Sequence, residues 1–180
     1  VSPDGTTVAF IEERPETAWD ILLLDPRSRR VTRFTDSRSN ETYPCFSPDG
    51  RWIAYVSDET GRGEVYVQAS SGRGGKVQIS SGGGREPLWS RDGKRLFYLW
   101  EDQVWAVDVR IDPEFAAGRP RLLFEKPGYA HHNYIRGWDI STDSQRFLMV
   151  KREDRESEPV TELVLVQHWL EELKRLVPMK

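Results

Sequence analysis

Two stretches of the chain are apolar at every position instead of at alternate ones, Trp52-Ile53-Ala54-Tyr55-Val56 and Leu96-Phe97-Tyr98-Leu99-Trp100. A strand with one face in water alternates apolar with polar residues, so runs of this kind need cover on both faces. Each run follows a polar turn, Ser47-Pro48-Asp49-Gly50 and Ser90-Arg91-Asp92-Gly93. The same order recurs at Ser2-Pro3-Asp4-Gly5 before Val8-Ala9-Phe10-Ile11, and at Ser141-Thr142-Asp143-Ser144 before Phe147-Leu148-Met149-Val150. The four turn serines lie 45, 43 and 51 residues apart. Short strands repeating every ~40–45 residues are the mark of propeller blades.

The spacing predicts an all-β chain, a partial β-propeller of about four four-stranded antiparallel blades, two complete and two incomplete. The blades fall at about 1–36, 39–81, 83–125 and 128–166, with a short C-terminal helix over 167–180. In the second copy the strands are expected at Glu41–Ser47, Trp52–Ser57, Glu64–Ala69 and Lys76–Ser80. The third copy gives Glu86–Ser90, Arg95–Trp100, Gln103–Val109 and Arg121–Phe124. The first lacks its inner strand and keeps Thr7–Ile11, Asp20–Leu24 and Arg30–Phe34; the fourth supplies Tyr134–Ile140, Arg146–Lys151 and Glu162–Val166. Radially stacked sheets cover both faces of such strands without helices. A parallel sheet would need crossover helices, for which these Gly-, Pro-, Asp- and Ser-rich spacers are too short.

The turn is mechanical. Proline presets φ for the first central position, Asp bonds the backbone two residues on, and Gly accepts the positive φ that closes the hairpin. Asp4, Asp49, Asp92 and Asp143 are therefore structural in this reading, although four recurring aspartates could suggest catalysis or a metal.

Composition changes the picture only by exclusion. With 26 Lys and Arg against 29 Asp and Glu the chain has no overall basic field for nucleic acid. No apolar run approaches the ~18–20 residues of a membrane helix, so no membrane contact by this segment is expected. The single cysteine, Cys45, cannot form an intramolecular disulfide and reads as a small core residue. Val1 stands in mid-repeat, which reads as the C-terminal piece of a longer propeller.

The segment Pro44-Cys45-Phe46-Ser47-Pro48-Asp49-Gly50-Arg51-Trp52-Ile53-Ala54-Tyr55-Val56-Ser57, followed by Gly63-Glu64-Val65-Tyr66-Val67, resembles the repeat of TolB-like propellers. Pro87-Leu88-Trp89-Ser90-Arg91-Asp92-Gly93 repeats it, and the fourth copy departs from it with Trp138 at the strand proline and Ser144 at the glycine. The resemblance implies a closed ring of about six blades. The tail from Gln167 to Pro178 reads as an amphipathic helix, with Trp169, Leu170, Leu173, Leu176 and Val177 on one stripe. It resembles the C-termini of TolB-like propellers carried behind bacterial serine/threonine kinase domains, which implies a periplasmic or extracytoplasmic location.

Gly72-Arg73-Gly74-Gly75-Lys76 lacks the Ser or Thr and the following helix of a phosphate loop, and reads as a hairpin. His131 and His132 are neighbours whose side chains would point to opposite faces of a strand, so neither a metal nor another cofactor is expected. No spacing nominates a catalytic residue, and the chain is read as a non-enzyme. What remains is the propeller mouth. Alignment on the turn makes Tyr43, Glu86 and Gly137 equivalent, with Thr42, Arg85 and Arg136 one step earlier. The candidate ligand-binding residues are Tyr43, Arg85, Glu86, His131, His132 and Arg136. The leading expectation is a non-catalytic sensor or interaction propeller for a protein or peptide ligand. The alternatives are the gating propeller of a prolyl-oligopeptidase-like peptidase, and an assembly module self-associating through its open blade edges.

Overall fold

A computed structural model describes residues 1–15, 18–112, 114–125, 127 and 136–150. His131, His132, the expected strand at 162–166 and the expected helix at 167–180 lie outside these residues. Every described element is a strand. Sheet one orders β1 (Val8–Arg14), β2 (Ala18–Asp25) and β3 (Arg30–Arg33). Sheet two orders β4 (Glu41–Phe46), β5 (Trp52–Ser57), β6 (Glu64–Ala69) and β7 (Val77–Gln78). Sheet three runs β8 (Arg85–Trp89), β9 (Arg95–Trp100) and β10 (Gln103–Arg110), the last flanked by both β11 (Ala116–Ala117) and β12 (Arg121–Glu125). A two-stranded sheet pairs β13 (Trp138–Ile140) with β14 (Phe147–Met149). All pairings are antiparallel between neighbours, as in a set of meanders.

The apolar runs explain how the sheets stack. On β5, Ile53 and Tyr55 join Ile21 and Phe34 of the first unit in one core cluster, while Ala54 and Val56 join Trp89, Leu96 and Tyr98 of the third sheet in another. On β9 the alternation repeats: Leu96 and Tyr98 face the second sheet, and Phe97 and Leu99 pack with Trp138 of the fourth. Successive residues of a strand point to opposite faces, so a run without alternation serves two interfaces at once. Tryptophans lock the interfaces with directed bonds. Trp89 Nε1 donates to the Cys45 carbonyl at 3.0 Å, and Trp138 Nε1 to the Glu86 carbonyl at 3.1 Å.

All four turns share one bonding pattern. Ser47 Oγ donates to Asp49 Oδ1 at 2.6 Å and accepts the Trp52 amide at 3.0 Å, while the Gly50 amide donates to the Ser47 carbonyl. The same bonds recur at Ser2 with Asp4, Ser90 with Asp92, and Ser141 with Asp143. These bonds, led by the serine hydroxyl, hold Asp4, Asp92 and Asp143 below the usual carboxylate range. At Asp49 burial acts upward, but the Ser47 and Arg51 bonds together outweigh it. A carboxylate whose pKa falls on folding stabilises the fold above its unfolded pKa, and that contribution is lost as pH falls through the folded value. Melting temperature should therefore drop as pH is lowered from about 4 towards 2, which differential scanning calorimetry would follow.

Ser144 takes the glycine position of the turn with φ 56°, where Gly5, Gly50 and Gly93 have 71°, 73° and 68°. A side chain is strained in this left-handed region. Ser144→Gly should raise stability by roughly 0.5–1 kcal/mol, read from urea unfolding.

Candidate functional site

The two complete inner strands break in the same way. Pairing of β4 with β5 lapses between Thr42 and Cys45, and pairing of β8 with β9 between Arg85 and Leu88. Inside each break a non-glycine residue turns left-handed, Tyr43 at φ 55° and Glu86 at φ 50°. A proline follows in each case, Pro44 or Pro87, and has no N–H to give to the ladder. A bulge of this sort bends the strand and re-aims its side chains, and left-handed non-glycine residues concentrate where geometry serves a function.

Tyr43 consequently lines two clefts. The first, about 270 Å3, is bordered by Trp19 from the first sheet, by Asn40, Thr42, Tyr43, Asp58 and Gly63 around the second, and by Arg85 from the third. Asp58 is held in place there, since its Oδ1 accepts the Asn40 amide at 2.8 Å and its Oδ2 accepts Asn40 Nδ2 at 2.7 Å. Arg85 is exposed, with its guanidinium carbon 6.0 Å from the Trp100 ring centre. The second cleft, about 380 Å3, is formed by Ala9, Phe10 and Ile11 of β1 with Tyr43, Pro44 and Arg136.

The structure thus brings Tyr43 together with Arg85 on one side and with Arg136 on the other. Glu86 is placed differently. It is fully buried, its Oε2 accepts the Gly137 amide at 2.8 Å, and Arg136 Nη2 donates to the neighbouring Pro87 carbonyl at 3.1 Å. Glu86 and Arg136 therefore join the third sheet to the fourth.

Two further buried carboxylates were not anticipated. Glu64 accepts from Ser80 Oγ, from the Gly82 amide at 2.8 Å and from the Gly83 amide at 2.9 Å, fixing the connection into the third sheet. Glu41 accepts from Ser37 Oγ at 2.5 Å and Ser57 Oγ at 3.2 Å. Its carboxyl is pushed upward, first by burial and in lesser part by the charge of nearby Asp20. Burial also pushes the Tyr98 phenol up to about 12, so it stays protonated at neutral pH.

Trp19, Asn40 and Asp58 also escaped the sequence reading of the mouth. For Asn40 and Asp58 a signal was present. Antiparallel pairing of Glu41 with Ser57 puts the residues before β4 and those after β5 at the same end of the sheet. The arrangement provides aromatic walls, fixed amide and carboxylate groups, and an exposed guanidinium, which suits holding a ligand.

Comparison with known proteins agrees with this architecture. Residues 1–119 match the TolB beta propeller domain family. Over 102 residues, 53% of the chain, it is 28% identical to the uncharacterized peptidase YuxL of Bacillus subtilis, of which it covers 16%. Over 72 residues, 39% of the chain, it is 36% identical to the Tol-Pal system protein TolB of Azoarcus sp., of which it covers 17%. The crystal structure of TolB from Acinetobacter baumannii superposes with a TM-score of 0.66 at 21% identity, across 85% of this chain and 37% of that one. The chain thus spans less than half the length of each of these three proteins. With the repeated turns, the stacked antiparallel sheets and the family match over most of its length, the chain belongs to the TolB beta propeller domain family.

Proposed function

We propose that this chain is a non-catalytic binding region of a larger protein, which captures a protein or peptide ligand at the mouth around Tyr43. The observation that supports the reading is the cleft to which three sheets contribute, with Tyr43 held left-handed in its wall. Stacked sheets give a rigid base, and the loops at their ends supply the variable chemistry. Tyr43 and Arg85 contact the ligand. Glu86 and Arg136 set the relation of the third and fourth sheets.

The C-terminal sequence supports the finer assignment. Its resemblance to propellers behind bacterial serine/threonine kinase domains fits the sensor region of a receptor-type kinase, lying outside the cytoplasm. One observation favours a second reading, the gating propeller of a peptidase: the 28% identity to an uncharacterized peptidase. The full reading frame separates the two, since a kinase domain upstream agrees with the first and a hydrolase domain with the second.

Binding itself is tested by capture from a cell-envelope extract. The unaltered chain should retain a specific partner, and Tyr43→Ala and Arg85→Ala should each reduce retention by roughly tenfold or more, as expected of a central aromatic or arginine anchor. Val31→Ala, on the exposed outer strand β3, should have no effect. Equal retention by all four proteins would refute the cleft as the binding surface.

A further inference from the structure

Arg85 is one of several described arginines, Arg95 and Arg136 among them, that make no ion pair. Arg14, Arg33, Arg51, Arg62 and Arg121 each lie within ion-pair distance of a carboxylate, whereas among the described residues no carboxylate pairs with Arg85. Its guanidinium lies against the Trp100 ring instead, and it borders both the Tyr43 cleft and a smaller one of about 230 Å3 formed with Leu99, Trp100 and Glu101. Stacking on an aromatic face restricts the planar guanidinium while leaving its edge donors for a bidentate acceptor.

The acceptors already present on this rim are engaged. Both oxygens of Asp58 accept from Asn40, and Glu86 Oε2 accepts from the Gly137 amide. Exposed Glu101 borders the smaller cleft beside Arg85 without forming an ion pair with it, and its charge would repel an incoming anion. On the far side of Tyr43 a second cation, Arg136, borders the other cleft. The tyrosine therefore stands between two guanidinium groups.

We infer that the Arg85 cleft takes a carboxylate of an acidic peptide, which Tyr43 and Trp19 flank with aromatic surface; this names the ligand chemistry of the binding role proposed above and rests on it. Arginine binds a carboxylate through two parallel N–H···O bonds, a geometry that lysine cannot reproduce.

The test uses the whole 180-residue chain and fluorescence anisotropy at low salt. The probe is a dye-labelled octapeptide alternating Asp with Leu, compared with its Asn counterpart. The acidic peptide should bind roughly tenfold more tightly than the neutral one. Arg85→Ala should abolish that difference and Arg85→Lys should restore only part of it. Glu101→Gln should tighten the acidic peptide by about threefold, a gain that loss of a structural contact would not produce. Unchanged melting curves for the Arg85 variants would show that the fold is intact.

Equal affinity for the two peptides, or indifference to Arg85→Ala, would overturn the carboxylate assignment. So would tighter binding of trigalacturonate, an acidic sugar, used as a competitor. If these results appeared while Tyr43→Ala still abolished capture of the envelope partner, the ligand chemistry would be wrong and the binding role would stand. If capture were also insensitive to Tyr43→Ala, both would fall.

Discussion

Glu64→Ala should lower the free energy of unfolding by about 3–4 kcal/mol, measured in urea. Glu64 is 2% exposed, and its carboxylate accepts three bonds, from Ser80 Oγ and from the Gly82 and Gly83 amides. Removing it leaves those buried or half-buried donors without an acceptor. A bonded buried donor that loses its partner costs ~1–3 kcal/mol, well above the net value of forming the bond. Glu64→Gln keeps an amide oxygen in place of Oε1, so it should cost less, about 1–2 kcal/mol. The same substitution should loosen the connection into β8, which carries Arg85, and so weaken binding as well as stability. A loss below about 1 kcal/mol for the alanine variant would mean that the two glycine amides find other partners.

Gly83→Ala should be the other strongly destabilising change, by about 2–5 kcal/mol. Gly83 has φ +119°, and a Cβ added there would lie 2.1 Å from Cε2 of Trp100 and 2.2 Å from its Cδ2. Backbone strain and overlap with a rigid indole act together, and the indole has no flexible end that could swing away. Gly82→Ala isolates the first of these effects, because Gly82 has φ +120° and nothing within 4 Å of the added carbon. It should cost about 1–2 kcal/mol. Thermal unfolding of the pair separates strain from packing. The larger loss must fall on Gly83 if Trp100 sits against it, and Gly83→Ala should also displace the ring that backs Arg85.

The apolar runs made much of the fold legible. The strands at Trp52–Ser57, Glu64–Ala69 and Arg95–Trp100 occur with the bounds that the pattern predicts, because each is fixed by residues buried on both faces. Where hydrogen bonding outlasts the hydrophobic pattern the reading fell short. β1 continues through Glu12 and Glu13 to Arg14, paired with Asp20, Trp19 and Ala18, although its apolar stretch ends at Ile11. Conversely, Lys76–Ser80 shrinks to Val77–Gln78 as a ladder, since beyond it Ser80 Oγ takes the Val65 amide in place of backbone pairing. The two-residue strand Ala116–Ala117 has no pattern to announce it.

The site was legible only in part. Repeat alignment alone placed Tyr43 and Glu86 at equivalent positions, and both prove to be left-handed at a register break. Alignment could not tell that Glu86 would be enclosed between sheets while Arg85 stayed in solvent, because that depends on the neighbouring sheet supplying Gly137 and Trp138. The burial of Glu41 and Glu64 has no mark in the sequence, because it depends on serines and glycine amides brought up from strands and loops well separated in the chain.

The most direct test of the account is hydrogen exchange, read by mass spectrometry, on the chain alone and with its captured partner. New protection is expected in peptides covering Asn40–Tyr43, Asp58–Gly63 and Gly84–Glu86, with the outer strands β3 and β7 unchanged. Protection confined to β3 and β7, with the Tyr43 mouth exchanging as before, would contradict it.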